Sequence, residues 1–193
     1  MDYEEYTLGI EIKRMSARGK YKMWEMDYDA AASHWEKKDA DSVHMEPIAL
    51  KEKIEAFIGA HNTCALATAS TDFVRNTPIE YNYVEGDFYF FSEGGLKFKG
   101  LKENKNVGIA IFEPYGGFGK LKSLQVQGVA SMVEPFSDKY LQLMEHKKIP
   151  VEVMKKLPQP MNLIKVMPVS YDYLDSELKK DGFGSRQHLD AEK

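Results

Sequence analysis

Residues 62–134 contain a run of short strand-like segments, and this run constrains the fold more than any other feature of the chain. The segments are apolar or alternate between apolar and polar residues, and turn residues such as Glu85-Gly86-Asp87 separate them, as in β-hairpins. They are residues 64–69, 77–84, 88–91, 107–112 and 124–133. Strands that follow one another through hairpins predict an antiparallel sheet rather than alternating parallel units.

Helical patterns lie at the breaks and flanks of this run. After Pro47, which fits a first helical position, apolar residues recur at the spacing of one helical face over residues 50–58. A short basic helix is predicted after Gly94-Gly95, and looser alternation over residues 161–174 supplies a sixth strand. Six strands with about four helices predict an α+β fold, and closure into a small barrel would remove the exposed strand edges.

The chain divides into three predicted parts. Residues 1–46 form an N-terminal arm with a helix at residues 29–38, residues 47–176 form the barrel domain, and residues 177–193 form a charged tail. Within the arm, apolar residues at alternating positions indicate a short strand. They are Tyr3, Tyr6, Leu8, Ile10 and Ile12.

Composition narrows the classes of function. A formal net charge of -4 disfavours non-specific nucleic-acid binding, and the lone Cys64 permits neither an intrachain disulfide nor a cysteine-based zinc site. The five histidines show no metal-ligand spacing, so no metal is predicted. Because the sequence shows no signal-like segment and no membrane-length apolar segment, we expect a cytoplasmic protein that does not bind membranes.

A serine, two glycines and a lysine suggest a place for a phosphate. Ser92 ends a predicted strand, Gly94-Gly95 follow, and Lys97 begins a basic helix. Unpaired N–H groups at a helix start, a hydroxyl and an ammonium are all suited to an anion. Arg75 adds a second cation from the preceding hairpin. Taken alone, the same pattern also fits a solvated basic helix.

Five short motifs occur in order along the chain. They are NTCALATAS from Asn62, RNTPI from Arg75, GDFYFFS from Gly86, KFKGLKEN from Lys97 and VQGVA from Val126. Their joint order resembles the pyridoxamine 5'-phosphate oxidase-like family, the FMN-binding split barrels. The resemblance covers residues 47–135 well and residues 136–175 loosely, and it implies a six-stranded antiparallel split β-barrel of Greek-key topology with flanking helices.

The resemblance also implies a cofactor site. FMN would lie at the subunit interface of a homodimer, with its phosphate on Arg75, Ser92 and Lys97. Further residues would line the ribityl chain and the ring, and a pair of amides would approach the isoalloxazine edge. These are Asn76, Thr77 and Phe91, and then Gln125 and Gln127.

The function that the resemblance implies is a flavin-dependent oxidoreductase acting on a small molecule, with no catalytic residue assigned. The C-terminal sequence KKDGFGSRQHLDAEK lacks the R-x-R motif of the vitamin B6 oxidases, so pyridoxamine phosphate is not the expected substrate. Two alternatives stay open. One is a non-catalytic flavin- or haem-binding or sensing protein of the same fold, and the other is a deazaflavin-dependent reductase.

Overall fold

The computed structural model describes residues 26–191 and divides the chain into two units, Met1–Val43 and His44–Lys193. In the first unit, helix α1 (Tyr28–Ala40) lies where the sequence predicts a helix. Its N-cap residue Asp27 accepts a hydrogen bond from the Ala30 N–H at 2.8 Å, which satisfies one of the free donors at the helix start. The strand predicted in the arm lies outside the described residues.

In its described part, the second unit holds one eight-stranded antiparallel sheet and four helices. The strands are β1 (Thr63–Ala69), β2 (Val74–Glu80), β3 (Asn82–Val84), β4 (Asp87–Ser92), β5 (Asn106–Phe112), β6 (Lys122–Val133), β7 (Asn162–Asp175) and β8 (Arg186–Asp190). The helices are α2 (Pro47–Gly59), α3 (Lys97–Glu103), α4 (Asp138–His146) and α5 (Val151–Lys155). None of the helices described is long and apolar enough to cross a membrane.

The sheet closes on itself through one bent segment. Its order is β2-β1-β5-β6-β7-β4-β3, with β8 paired to β7, so that β2 and β3 lie at opposite ends of the path although only Tyr81 separates them in sequence. Tyr81 holds the bend, because its N–H donates to the Asn62 carbonyl at 2.9 Å and its hydroxyl donates to the Ile58 carbonyl at 2.6 Å. The predicted antiparallel split-barrel fold is therefore confirmed.

The number of strands differs from the predicted six in two places. The segment predicted as one strand over residues 77–84 is divided at Tyr81, because the backbone turns there to pair with β1 on one side and β4 on the other. The sequence also predicts a charged tail from residue 177, whereas Arg186–Asp190 forms β8 on the edge of β7. Leu178 and Gln187 are buried in this C-terminal segment.

Two apolar clusters flank strand β4. Phe88 and Phe90 face the barrel core, which α2 covers with its apolar side. Tyr89 points to the opposite side, where it joins a second cluster with Tyr140 from α4. The four consecutive aromatic residues thus belong to a strand that is packed on both faces, as their sequence predicts.

His188 connects the last two strands. Its Nδ1 lies 2.8 Å from the Asp172 carboxylate in β7, and its Nε2 lies 3.3 Å from Asp190 in β8. The hydrogen bond to Asp172 is the main cause that raises the pKa of His188 above its usual value. A group whose folded-state pKa is raised stabilises the fold below its unfolded pKa, and this contribution is lost as pH rises through the folded pKa.

We therefore expect His188→Gln to lower the thermal unfolding midpoint more at pH 5.5 than at pH 8.5. The measurement is a pair of melting curves at each pH, with His146→Gln as a control, because His146 is also exposed but lies outside this pair of strands. A loss that is equal at both pH values, or larger at pH 8.5, would contradict the ion pairs as the source of the effect.

Candidate functional site

Helix α3 lies directly against β1, and a glycine makes this approach possible. A Cβ atom at Gly100 would lie 2.9 Å from the Ala69 backbone nitrogen and 3.0 Å from the Thr68 carbonyl carbon. The first distance is shorter than real Cβ contacts show and the second is at their tight limit, and both atoms belong to the backbone, so glycine is the residue that fits here. Because Gly100 fixes α3 on β1, it also fixes Lys97, the first residue of the helix, beside the end of the barrel.

Arg75 and Thr68 stand opposite each other at this end of the barrel. They are direct partners in the antiparallel pairing of β2 with β1, so their side chains share one face. Thr68 is buried, and its Oγ1 atom has no hydrogen-bond partner within the part of the chain that the structure describes. A buried hydroxyl without a partner costs about 1–3 kcal/mol, which a ligand accepting from it or donating to it would recover.

Lys97 brings a second cation to the same place. Its side chain is 7% exposed, and its Nζ donates to the Gly94 carbonyl at 2.5 Å. Burial lowers the pKa of Lys97, and the positive charge of Arg75 lowers it further. Within residues 26–191, neither Arg75 nor Lys97 has a carboxylate partner, so the two cations form a site with uncompensated positive charge.

Ser92 is buried beside these cations, but its hydroxyl is already engaged. It accepts from the Gly94 N–H at 3.2 Å and lies 3.0 Å from the Gly94 carbonyl, to which it donates. Asn162 holds the same loop from β7, because its Nδ2 donates to the Ser92 carbonyl at 3.2 Å. Ser92 thus shapes the glycine loop. Helix α3, which begins shortly after this loop, is only seven residues long.

Three of the predicted cofactor residues lie on the outer face of the sheet. The register places Asn76 beside Ala67, Ala67 beside Gly108 and Gly108 beside Gln127, in one row across β2, β1, β5 and β6. Gln125 lies in the neighbouring row, opposite Ala110. On this face, small half-buried residues separate the exposed amide side chains.

The remaining two predicted residues lie apart from both groups. Thr77 is half-buried and pairs with Leu66, so it shares the inner face with Arg75. Phe91 is half-buried against Tyr140, with ring centroids 5.5 Å apart, in the second apolar cluster. The structure therefore brings Arg75, Ser92 and Lys97 together at one end of the barrel and does not bring the eight predicted residues into one cluster.

The chemistry of the cluster suits an oxyanion. Two cations and a free hydroxyl can donate charge-assisted and neutral hydrogen bonds to phosphate oxygens. Among the described residues, no group of three or more histidine, cysteine or acidic side chains could hold a metal ion. Cys64 is buried in β1, where burial raises the pKa of its thiol to about 12 and keeps it protonated.

Sequence reasoning missed three residues that shape this site. Asn162 contacts Ser92, which lies 70 residues earlier in the sequence, and Thr68 matters because its hydroxyl has no hydrogen-bond partner among the described residues. No local pattern marks either residue. Gly100, within the motif KFKGLKEN, carries a local signal: a glycine inside a short helix costs stability unless something must approach it closely.

A comparison with protein families identifies the family of the chain. The family model described as pyridoxamine 5'-phosphate oxidase matches residues 50–174, which includes the candidate site and the sheet from β1 to β7. The chain belongs to the pyridoxamine 5'-phosphate oxidase family. A search of curated proteins found no match to the sequence.

Solved structures of other proteins share the fold of the chain. An FAD-binding protein from Mesorhizobium loti is 19% identical, with a TM-score of 0.52 and coverage of 63% of this chain and 89% of that chain. The haem storage protein HutZ from Vibrio cholerae is 22% identical, with a TM-score of 0.51 and coverage of 62% and 89%. ChuZ from Campylobacter jejuni is 17% identical, with a TM-score of 0.58 and coverage of 86% and 70%. At these identities the likeness concerns the fold alone.

Proposed function

We propose that this member of the family is an FMN-binding flavoprotein and acts as an oxidoreductase on a small molecule. The observation that carries the proposal is the pair of cations, Arg75 and Lys97, beside the hydroxyl of Thr68. Within residues 26–191, neither cation has a carboxylate partner and the hydroxyl has no hydrogen-bond partner. A flavin phosphate at this position would neutralise both charges and satisfy the hydroxyl.

The charge of the phosphate matches that of the site. A phosphate monoester carries nearly two negative charges at neutral pH, and a partly buried dianion needs charge-assisted donors. Arg75 and Lys97 provide two positive charges, and the repulsion between them, which lowers the pKa of Lys97, would become an attraction to the shared anion. Ser92 and Asn162 keep the neighbouring loop in place.

The outer face of the sheet is the proposed surface for the isoalloxazine ring. Ala67, Gly108 and Ala110 carry small or no side chains there, while Asn76, Gln125 and Gln127 offer amides that match the ring's carbonyl and N–H groups. This face lies on the opposite side of β2 from the phosphate cluster. We therefore place FMN between two copies of the chain, with one copy holding the phosphate and its partner contributing amides.

A homodimer is also consistent with the apolar side chains exposed beside this face. Phe112 of β5 is 61% exposed, and Met167 and Val169 of β7 are 54% and 49% exposed. We expect light scattering to give the mass of a dimer at micromolar concentration. A monomeric mass under these conditions would contradict the proposed placement of the ring.

In this proposal FMN provides the redox chemistry, and the protein binds, orients and shields it. Arg75 and Lys97 would fix the phosphate end, and the amide row would fix the edge of the ring. We assign no acid–base residue. Asp172 is a titratable side chain beside the amides, because it pairs with Gln125 across β6 and β7, but its carboxylate is engaged by His188.

The experiment that tests the proposed function is an absorbance spectrum of the purified protein together with identification of the cofactor that it releases on denaturation. We expect the two visible bands of a flavin and release of FMN. A haem Soret band would favour the haem-binding alternative, and binding of a deazaflavin but not FMN would favour the deazaflavin-dependent alternative.

Haem binding is the weaker candidate, because His61, which follows helix α2, and His188, in the C-terminal strand, are both engaged. His61 Nδ1 lies 2.7 Å from the Phe57 carbonyl and its Nε2 lies 3.1 Å from Glu113. His188 faces a carboxylate at each ring nitrogen. Either histidine would have to give up a hydrogen bond to bind iron.

A further inference from the structure

We propose that a cavity of about 570 Å³ is a second ligand site, suited to a small organic cation with an apolar body. It lies at the start of β4, the end of the strand opposite Ser92. The cavity lies among α2, the turn between β3 and β4, β7 and β8. Its volume falls within the range of about 300–1,000 Å³ that is usual for small-molecule sites.

The walls of the cavity are largely apolar. They come from four different elements, so that the cavity has a fixed shape only when β8 is paired with β7. The apolar lining residues include Ile48, Ile54, Met167, Pro168 and Leu189. Such walls favour the hydrocarbon or aromatic part of a ligand.

The rim of the cavity is acidic. Among the described residues that line it, Lys51 is the one basic side chain, against the carboxylates of Glu55, Glu85, Asp87 and Asp190. Three of these have partners, since Lys139 lies 2.8 Å from Glu85, Lys165 lies 2.6 Å from Asp87 and His188 lies 3.3 Å from Asp190. Glu55 has no ion pair within residues 26–191, which makes it the carboxylate available to a bound cation.

Two tyrosines on the cavity wall interact with these carboxylates. The side chains of Tyr171 and Tyr83 interact with each other, and both residues line the cavity. Burial is the main cause that raises the pKa of both tyrosines, and the negative charges of Glu55 and Asp87 raise it further. For the pKa of Tyr83, the positive charge of Lys51 and the interaction with Tyr171 act in the opposite direction. With four carboxylates and one lysine among its described lining residues, the cavity favours a positively charged ligand. The two tyrosine hydroxyls add polar groups that an ammonium can contact.

This site is separate from the phosphate cluster. Asp87 lines the cavity at the start of β4, and Ser92 belongs to the phosphate cluster at the end of the same strand. At about 3.3 Å per residue, the two ends are roughly 16 Å apart. Ligands can therefore be tested at one site with the other as an internal reference.

The probe for the test is 2-phenylethylammonium, which combines an apolar ring with one positive charge. The matched ligands are neutral 3-phenylpropan-1-ol and anionic 3-phenylpropionate, which have similar size and shape. Each is titrated at pH 7 into the full-length protein while amide chemical shifts are recorded by NMR. We expect the cation to bind most tightly and to shift the amides of Tyr83, Tyr171 and Leu189.

Glu55→Gln should weaken binding of the cation about fivefold, the usual size of a partly exposed charge pair, and leave the neutral alcohol unaffected. Glu52→Gln is the matched control, because Glu52 lies on the same helix and does not line the cavity. Ile48→Trp should block the cavity without unfolding the protein, since Ile48 is 77% exposed.

FMN affinity should stay unchanged in all three variants, which separates this proposal from the proposed function. Equal binding of the cation and the anion, an equal effect of Glu52→Gln and Glu55→Gln, or undiminished binding to Ile48→Trp would each overturn the proposal.

Discussion

We expect Arg75→Ala and Lys97→Met each to weaken FMN binding by about ten- to a hundredfold. Removing one charge-assisted donor from a phosphate costs about 1.5–3 kcal/mol, which corresponds to this range of affinity. Methionine is used at position 97 because the side chain is buried, and an apolar stem of similar length keeps the packing on α3. The measurement is a titration followed by the quenching of flavin fluorescence.

Two controls separate the phosphate contact from other effects. Lys102→Met removes an exposed lysine from the same helix and should leave FMN affinity unchanged. Riboflavin, which lacks the phosphate, should bind the wild type weakly and be little affected by Arg75→Ala or Lys97→Met. If Lys97→Met binds FMN as tightly as Lys102→Met does, the phosphate lies elsewhere.

We expect Gly100→Ala to destabilise the protein by about 1–3 kcal/mol, the usual cost of forcing an extra methyl group into a packed site. In an exposed helix the same change normally stabilises, so the sign is the informative part of the result. The contacting atoms are the Ala69 nitrogen and the Thr68 carbonyl carbon, and backbone atoms cannot rotate away. A shift of α3 would also move Lys97 and weaken FMN binding.

Gly59→Ala is the matched control for this change. Gly59 is the last residue of α2, and a Cβ atom there would have no neighbour within 4 Å. We expect it to be neutral or to stabilise by a few tenths of a kcal/mol up to about 1 kcal/mol. Unfolding in urea measures both variants, and equal free energies of unfolding for Gly100→Ala and wild type would contradict the close packing of α3 on β1.

The antiparallel barrel was predictable because its strands carry local signals. The turn at Glu85-Gly86-Asp87, the apolar runs and the aromatic residues of β4 each specify a strand or hairpin without reference to the rest of the chain. The helix from Pro47 to Gly59 was predictable from the spacing of its apolar residues, which are buried as that spacing requires.

Features that depend on distant contacts were not predictable. The bend at Tyr81 is held by Ile58 and Asn62, and β8 is held by β7 and by the hydrogen bond from the Met45 N–H to Gln187 at 2.8 Å. None of these partners can be identified from the local sequence.

In the candidate site, residue types were easier to predict than their arrangement. Arg75 and Lys97 meet as expected, because a hairpin and a helix start converge at one end of the barrel. Asn76 and the two glutamines alternate onto the other face, which the period-2 pattern of strands dictates but which the motifs alone do not show. Thr68 could not be found, since its missing partner is visible only in three dimensions.

The central claim is that the cations at Arg75 and Lys97 hold the phosphate of a flavin. Calorimetric titration of FMN and of riboflavin into cofactor-free wild-type protein tests it most directly, because the two ligands differ only in that phosphate. We predict that FMN binds at least about tenfold more tightly, the effect of one or more charge-assisted hydrogen bonds. Equal affinities for FMN and riboflavin would contradict the claim.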